Sequence, residues 1–164
     1  MMPESETDPM RNAEEWLAEY GESHRNATNK LLHWICVPLI VLSLIGLLWS
    51  IPVPQAFADI SPALNWATAF LMAAVVYYFI LSTSLALGML PVLAGFVALT
   101  VWLDSLRPPL WLISLAIFAA AWTGQFIGPA IEGRRPSFFR DLQFLMIGPA
   151  WLLAALYRRL GIAY

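Results

Sequence analysis

The chain has 164 residues, of which 60% are hydrophobic and only 12% are charged, and its mean hydropathy is +0.68. A soluble domain typically carries about twice that charged share, so these values exclude an ordinary soluble fold and favour an integral membrane protein with room for about four to six spans. The formal net charge of -2 provides no basic field of the kind that gathers nucleic acid, which excludes nucleic-acid binding as a function class.

The first thirty residues are polar and acidic. They lack the positive start and the apolar stretch of a secretory signal peptide, so we expect the first span to act as its own uncleaved insertion signal. Residues 1–12 are predicted to form a disordered acidic tail, and residues 13–160 a single membrane helical domain. Trp16, Leu17 and Tyr20 recur at helix-like spacing and predict a short N-terminal amphipathic helix at the membrane interface.

Five apolar stretches follow and predict an all-α membrane helical bundle of four to five spans. They lie at residues 31–51, 64–82, 86–103, 110–128 and 142–157. Asn26 and Asn29 supply N-cap side chains where the first helix should begin. The uncharged stretch of about forty residues before Asp104 is too long for one span, so we predict a helical hairpin with its turn at 82–84 or at 88–91.

The fifth stretch, residues 142–157, is short for a membrane span. It gives about 24 Å of helix against a hydrocarbon core of about 30 Å. Gly148 and Pro149 are expected to interrupt its middle. A short span, a re-entrant segment and a surface helix are therefore all open.

The distribution of Lys and Arg predicts the orientation of the chain. Five crossings with the N-terminus in the cytoplasm give six basic residues inside and three outside. The inner six are Arg11, Arg25, Lys30, Arg134, Arg135 and Arg140, and the outer three are Arg107, Arg158 and Arg159. If the fifth stretch does not cross, the distribution becomes eight against one, because Arg158 and Arg159 also fall inside. We therefore predict four crossings, both termini in the cytoplasm, and a location in a bacterial inner membrane.

Two distant polar segments carry the residues that could do chemistry, and both lie at the cytoplasmic end of predicted spans. The only histidines, His24 and His33, flank the start of the first span, and Asn29 shares a helical face with His33. On a continuous helix the two imidazoles would lie on opposite faces, so a shared ligand requires a break at residues 26–29. Alternatively, His24 is an exposed interfacial residue and His33 bonds a neighbouring carbonyl.

The second polar segment comprises residues 125–137. Gln125 lies near the end of the fourth apolar stretch, where a polar side chain needs either a hydrogen bond to another helix or a ligand cavity. Glu132 lies beside Arg134 and Arg135, and together they form either a solvated ion-pair loop or a site for an anionic headgroup or substrate carboxylate.

Cysteine and tryptophan are assigned packing and interfacial positions. The single Cys36 excludes an internal disulfide and a Cys-only zinc site, so we expect a small packing residue. Six tryptophans fall near the ends of predicted spans and indicate an interfacial belt. They are Trp34, Trp49, Trp66, Trp102, Trp111 and Trp151.

Three segments carry a resemblance to a known family. They are residues 20–39 (YGESHRNATNKLLHWICVPL), 125–137 and 138–142. Together they resemble the family related to the yeast 2-hydroxy fatty acid dioxygenase, over a range from Trp16 to Leu160 that includes the pattern His-x4-Asn-x3-His-x4-Pro. The resemblance implies a small multi-span membrane protein and an Fe(II)-dependent removal of one carbon from 2-hydroxy fatty acids, with histidines needed for activity.

The resemblance also implies a set of site residues. Carried over by position, His24, His33 and Asn29 are the candidate catalytic residues, and Fe(II) is the expected cofactor with the two histidines among its ligands. A 2-hydroxy acid would chelate the iron through its carboxylate and hydroxyl, and the acyl tail would lie between the spans. Gln125 is a candidate substrate-binding residue, and Arg134 or Arg135 would be the reserve anchor for the substrate carboxylate.

One position departs from the family pattern. The family reads Gln-Phe-x-Gly-His, and this chain has Pro129 in place of that histidine. A non-haem Fe(II) site commonly uses two histidines and one carboxylate, which Glu22 or Glu132 could supply. Proline disfavours helix in the preceding residue, so Gly128 and Pro129 are predicted to end the fourth span.

Other functions remain open. The main alternative is a non-catalytic lipid-binding membrane scaffold, or a divergent member without the metal site. A transporter is disfavoured because the spans have no intramembrane charge and no evident internal repeat. The expected partners are a 2-hydroxy fatty acid or another lipid, the membrane itself, and further copies of the chain in a homo-oligomer.

Overall fold

The computed structural model describes residues 26–131, 133 and 146–162, and every regular element in this part of the chain is a helix. The helices are α1 (Ala27–Trp49), α2 (Gln55–Ile60), α3 (Trp66–Leu81), α4 (Thr83–Asp104), α5 (Leu110–Ile131) and α6 (Ile147–Leu160). The predicted all-α class is confirmed. The predicted acidic tail and interfacial helix lie outside the described residues, and their boundaries stay predictions.

Three of the described helices, α1, α4 and α5, are long and apolar enough to cross a membrane. The apolar helix α3 has 16 residues, about 24 Å of helix, and is shorter than a full span. Large apolar side chains such as Val76, Ile80 and Trp102 project outward from these helices. Since a water-facing surface would not carry so many of them, the protein is a membrane-associated helical bundle.

Helix α1 begins where the capping residues predicted. Asn26 has extended backbone, and its side-chain oxygen accepts a hydrogen bond from the Thr28 N–H at 2.8 Å. The helix ends at Trp49, and the Ser50 hydroxyl donates to the Gly46 carbonyl at 2.8 Å. The helix therefore begins at Ala27, after an extended Asn26, within the range 26–29 where the sequence analysis placed a possible break.

The predicted hairpin of α3 and α4 is confirmed, with its turn at the first of the two proposed positions. Ser82 is the single residue between the helices, and its extended backbone breaks the helical path. Its N–H donates to the Tyr78 carbonyl at 2.9 Å, and its hydroxyl accepts from the Leu85 N–H at 3.4 Å. Residues 88–91 lie inside α4.

The antiparallel pair α1 and α5 makes the most extensive helix contact in the described bundle. Small residues alternate along this crossing. Gly46 lies against Ser114, Gly124 lies against Cys36, and Gly128 lies against Asn29. A β-carbon on any of these glycines would collide with its neighbour, so the small residues are what allow the two backbones to approach. Cys36 is a buried packing residue here, as predicted.

A larger apolar core joins α1, α3, α4 and α6. Two tyrosines attach α6 to the hairpin. The Tyr78 hydroxyl donates to the Met146 carbonyl at 2.9 Å, and the Tyr157 hydroxyl donates to the Ser84 carbonyl at 3.2 Å. Both contacts lie near the α3–α4 turn, so α6 packs in the half of the bundle where α1 and α4 begin.

Three sequence predictions about helix ends and exposure are wrong. Gly148 and Pro149 do not interrupt the described part of the fifth segment, because they occupy the first turn of α6, where proline loses no helical hydrogen bond. Trp151 does not belong to an interfacial belt, because it is buried in the core. Gly128 and Pro129 do not end α5, which continues to Ile131.

The end of α5 has a different stop signal from the one predicted. Gly133 follows the helix with a φ of 70°, and its N–H donates to the Ala130 carbonyl at 3.1 Å. A left-handed glycine just past the last turn is a common helix terminator. The preference of a residue before proline for extended backbone is outweighed at Gly128, which is held by its packing on Asn29.

Candidate functional site

Three polar side chains are buried where α1 begins and α5 ends. Asn29, His33 and Gln125 are only 1%, 2% and 4% exposed, although both helices are otherwise apolar. Asn29 and His33 lie one turn apart on the same face of α1, and Gln125 lies on α5. Burying polar groups in an apolar bundle is unfavourable without partners, so their contacts define what this region can do.

Glycine on α5 provides the space for the polar face of α1. The Asn29 carboxamide lies directly over Gly128, where a β-carbon would collide with its oxygen. One turn earlier on α5, Gly124 accommodates Cys36 in the same way. The site is therefore positioned by close helix packing, and it does not depend on a loop.

His33 and Gln125 are in direct contact across the two helices. The Gln125 Nε2 lies 3.0 Å from Nδ1 and 3.1 Å from Nε2 of the imidazole. The amide nitrogen is only a donor, so it donates to whichever ring nitrogen lacks a proton. The hydrogen bond between helices that was one of two options for Gln125 is present, and it fixes the orientation of the His33 ring.

Two buried acceptors lie beside this pair. The Asn29 Oδ1 and the Gln125 Oε1 have no hydrogen-bond partner among the described residues. Leaving a buried acceptor without a donor costs about 1–3 kcal/mol, and such atoms in native proteins commonly mark a water, an ion or a ligand. Two of them next to one imidazole can accept hydrogen bonds from the rest of the chain, from a ligand or from a water, or can face a cation.

Helix α6 closes one side of the site with an aromatic ring. The rings of Trp151 and His33 are 6.4 Å apart between centroids and are nearly perpendicular, at 86°. The predicted set of site residues did not include Trp151. The helical spacing of Ile147, Ala150, Trp151 and Ala154, all buried, is the signal that could have placed it on a core-facing stripe.

The structure brings together only part of the predicted set. Asn29, His33 and Gln125 converge from two helices that are distant in sequence. The remaining predicted site residues lie outside the described part of the chain. They are Glu22, His24, Glu132, Arg134 and Arg135.

The donor atoms present determine whether a metal could be held. Within residues 26–131, 133 and 146–162, no group of three or more His, Cys, Asp or Glu side chains comes together. What does come together is one imidazole and two amide oxygens without partners in that part of the chain. Nitrogen and oxygen donors of this kind suit a first-row divalent cation such as Fe(II). The described set could provide at most one side of such an ion, and a complete site would need further ligands from outside the described residues.

Comparison with known proteins identifies the family. The chain matches the family described as 2-hydroxy-palmitic acid dioxygenase Mpo1-like over residues 10–160, which includes every described helix and the whole site. No curated protein and no solved structure matches it. Because the match covers nearly the whole chain, the protein belongs to the Mpo1-like family.

Proposed function

We propose that the protein is an Fe(II)-dependent, dioxygenase-like membrane enzyme that shortens 2-hydroxy fatty acids by one carbon. The observation that carries this proposal is the buried imidazole of His33 beside two amide oxygens that lack partners among the described residues. Membership of the Mpo1-like family supports the substrate class, because the family description names a 2-hydroxy fatty acid dioxygenase. The apolar surroundings suit a substrate that already partitions into the bilayer.

Three residues are proposed as iron ligands. They are His24, His33 and Glu132, of which only His33 is described. Its ring packs against Trp151 and accepts a hydrogen bond from Gln125, which would have to release that nitrogen for iron to bind. When bound, Fe(II) would hold and activate dioxygen beside the substrate. A carbon removed as carbon dioxide balances the reaction, since one 2-hydroxy acid and one dioxygen give one shorter acid, one carbon dioxide and one water.

The protein side chains have separate tasks in this proposal. The substrate hydroxyl can donate to the Asn29 Oδ1 or to the Gln125 Oε1, which orients the carbon that is to be oxidised. Arg134 or Arg135 is proposed to pair with the substrate carboxylate. The apolar side chains around the site exclude water, which strengthens each of these polar contacts.

Iron content and product analysis test the proposal together. The full-length chain, purified and loaded anaerobically with Fe(II), should retain about one iron per chain and convert a 2-hydroxy acid to the acid one carbon shorter, as seen by mass spectrometry. His33→Ala should abolish both. Cys36→Ala is the matched control, because Cys36 lies at the same crossing one turn away and should leave both unchanged. A folded wild-type chain that binds no iron and gives no product would refute the proposal.

A non-catalytic lipid-binding protein is the second candidate. It is favoured by Pro129, which stands where the family pattern has a histidine. Under this candidate the buried polar residues serve only to join α1 and α5. The same experiment separates the two, because the scaffold gives a folded, lipid-binding chain with neither iron nor product.

A further inference from the structure

An apolar cavity lies between α1, α4 and α6. The face of α1 that lines it is different from the face that contacts Gln125. Its volume is about 200 Å³, and ten residues from the three helices line it, none of them charged. Two of these residues, Val92 on α4 and Leu156 on α6, are 39% and 42% exposed. The cavity is therefore open to the outside of the bundle between those two helices.

A cation lies next to one wall of this cavity. The guanidinium of Arg159 is 5.9 Å from the centre of the Trp34 ring, and Trp34 lines the cavity. Arg159 is exposed and belongs to the last turn of α6, three residues after Leu156 on the same face. A guanidinium carries several N–H donors, so Arg159 beside Trp34 can pair with an anion at this end of the cavity.

The charge of Arg159 has no counterpart among the described carboxylates. Only two lie in the described residues, Asp59 on α2 and Asp104 at the end of α4. Asp104 is far from Arg159. The last turns of α6, which carry Arg159, contact α4 through Tyr157 and Ser84, and Ser84 is about 30 Å from Asp104 along α4. An anion that binds at Arg159 therefore has to come from elsewhere.

We propose that this cavity binds the acyl chain of a fatty acid, with the fatty acid carboxylate against Arg159. An apolar slot that ends at a cation complements a single chain that ends at an anion. The cavity is smaller than the roughly 300–1,000 Å³ of typical small-molecule pockets, so it accommodates part of one chain and cannot take the two chains of a phospholipid.

The position of the cavity connects it to the candidate site. Trp34 directly follows His33 along α1, so the wall of the cavity and the buried imidazole lie at the same depth of the bundle. Its carboxylate at Arg159 lies on another face of α1 from the substrate carboxylate that is proposed to pair with Arg134 or Arg135, so the bound fatty acid is a separate ligand beside the site. Its binding needs neither iron nor turnover.

Photo-crosslinking tests this inference directly. The full-length, metal-free chain in detergent is labelled with palmitic acid that carries a diazirine on its chain, and the adducts are mapped by mass spectrometry. We expect adducts on α4 and α6 around Val92 and Leu153. Unlabelled palmitate should suppress them about tenfold better than hexadecanol, which has no charge, and this ratio corresponds to about 1.4 kcal/mol.

Two pairs of variants sharpen the test. Val92→Phe fills the cavity and should reduce its adducts at least several-fold, whereas Val101→Phe, on an exposed part of the same helix, should not. Arg159→Gln should remove the preference for palmitate over hexadecanol, whereas Arg158→Gln, with the same loss of charge, should retain it.

Several outcomes would overturn the inference. One is that adducts spread evenly over the exposed apolar faces. Another is that palmitate and hexadecanol suppress labelling of the wild-type chain equally. The third is that phosphatidylglycerol, which has two acyl chains, suppresses labelling as well as palmitate does. The two proposals fail in distinguishable ways. Intact labelling without turnover refutes only the proposed function, and turnover without labelling in the cavity refutes only this inference.

Discussion

The amide nitrogen of Gln125 lies 3.0 and 3.1 Å from the two ring nitrogens of His33, although 92 residues separate the two in the chain. This contact joins the first turns of α1 to the last turns of α5 and orients the one described histidine. It also makes the candidate site part of the helix packing. Variants at the site should therefore alter stability and ligand binding together.

Gln125→Leu should destabilise the protein. The substitution removes a donor from a buried imidazole, and a lost partner of this kind costs about 1–3 kcal/mol. Thermal unfolding in detergent should show the loss. Thr123→Val is the control, because Thr123 is exposed on the same helix and bonds only within its own turn. Equal stability of both variants would mean that the contact contributes nothing.

Gly128→Ala should disrupt the packing of the Asn29 carboxamide against α5. The added β-carbon would collide with the Asn29 Oδ1, and overpacking of this kind costs about 1–3 kcal/mol. Gly95→Ala is a matched control, because its β-carbon would meet nothing within 4 Å and alanine is the better helix former. Unfolding measurements should show a loss only for Gly128→Ala. Adding Asn29→Ala should restore part of it, and additive losses would exclude the collision.

Pro129→His should raise iron retention and the turnover of 2-hydroxy acids. The family resemblance implies a histidine at this position, and an additional imidazole would strengthen the proposed iron site. His24→Ala or His33→Ala in that background should abolish both. If the folded Pro129→His protein matches wild type in metal content and turnover, the position lies outside the metal site.

Both termini should report the same compartment. The eight-to-one distribution of basic residues predicts four crossings, and the contacts of α6 near the α3–α4 turn favour a final helix that does not cross. Accessibility tags inserted after Arg11 and after Tyr164 measure this in sealed vesicles. A C-terminal tag that alone is reachable from outside would mean that α6 crosses.

Much of the fold could be predicted because its signals are local. The capping side chain of Asn26 and the polar break at Ser82 both act on their own helix, and both were found where the sequence placed them. The proximity of His33 and Gln125 could also be predicted, because the alternation of spans puts both residues at the same end of the bundle. Such inferences need only helix order and length.

The missed features depend on contacts between helices. The spacing along α6 could have put Trp151 on a core-facing stripe, but it does not show that Trp151 contacts His33. Proline is tolerated in the first turn of a helix and breaks a helix in its middle. Which effect Pro149 has depends on where α6 begins. The role of Gly128 appears only when Asn29 is placed against it. Tertiary packing determined each of these outcomes.

The single-residue link between α3 and α4 has a consequence for how the protein enters the membrane. With only Ser82 between them, the two helices cannot be separated by a water-exposed loop at any stage. Helix α3 has 16 residues and is too short to be held stably on its own, whereas α4 has 22. We therefore expect the two helices to enter the bilayer together, with the longer helix retaining the shorter one.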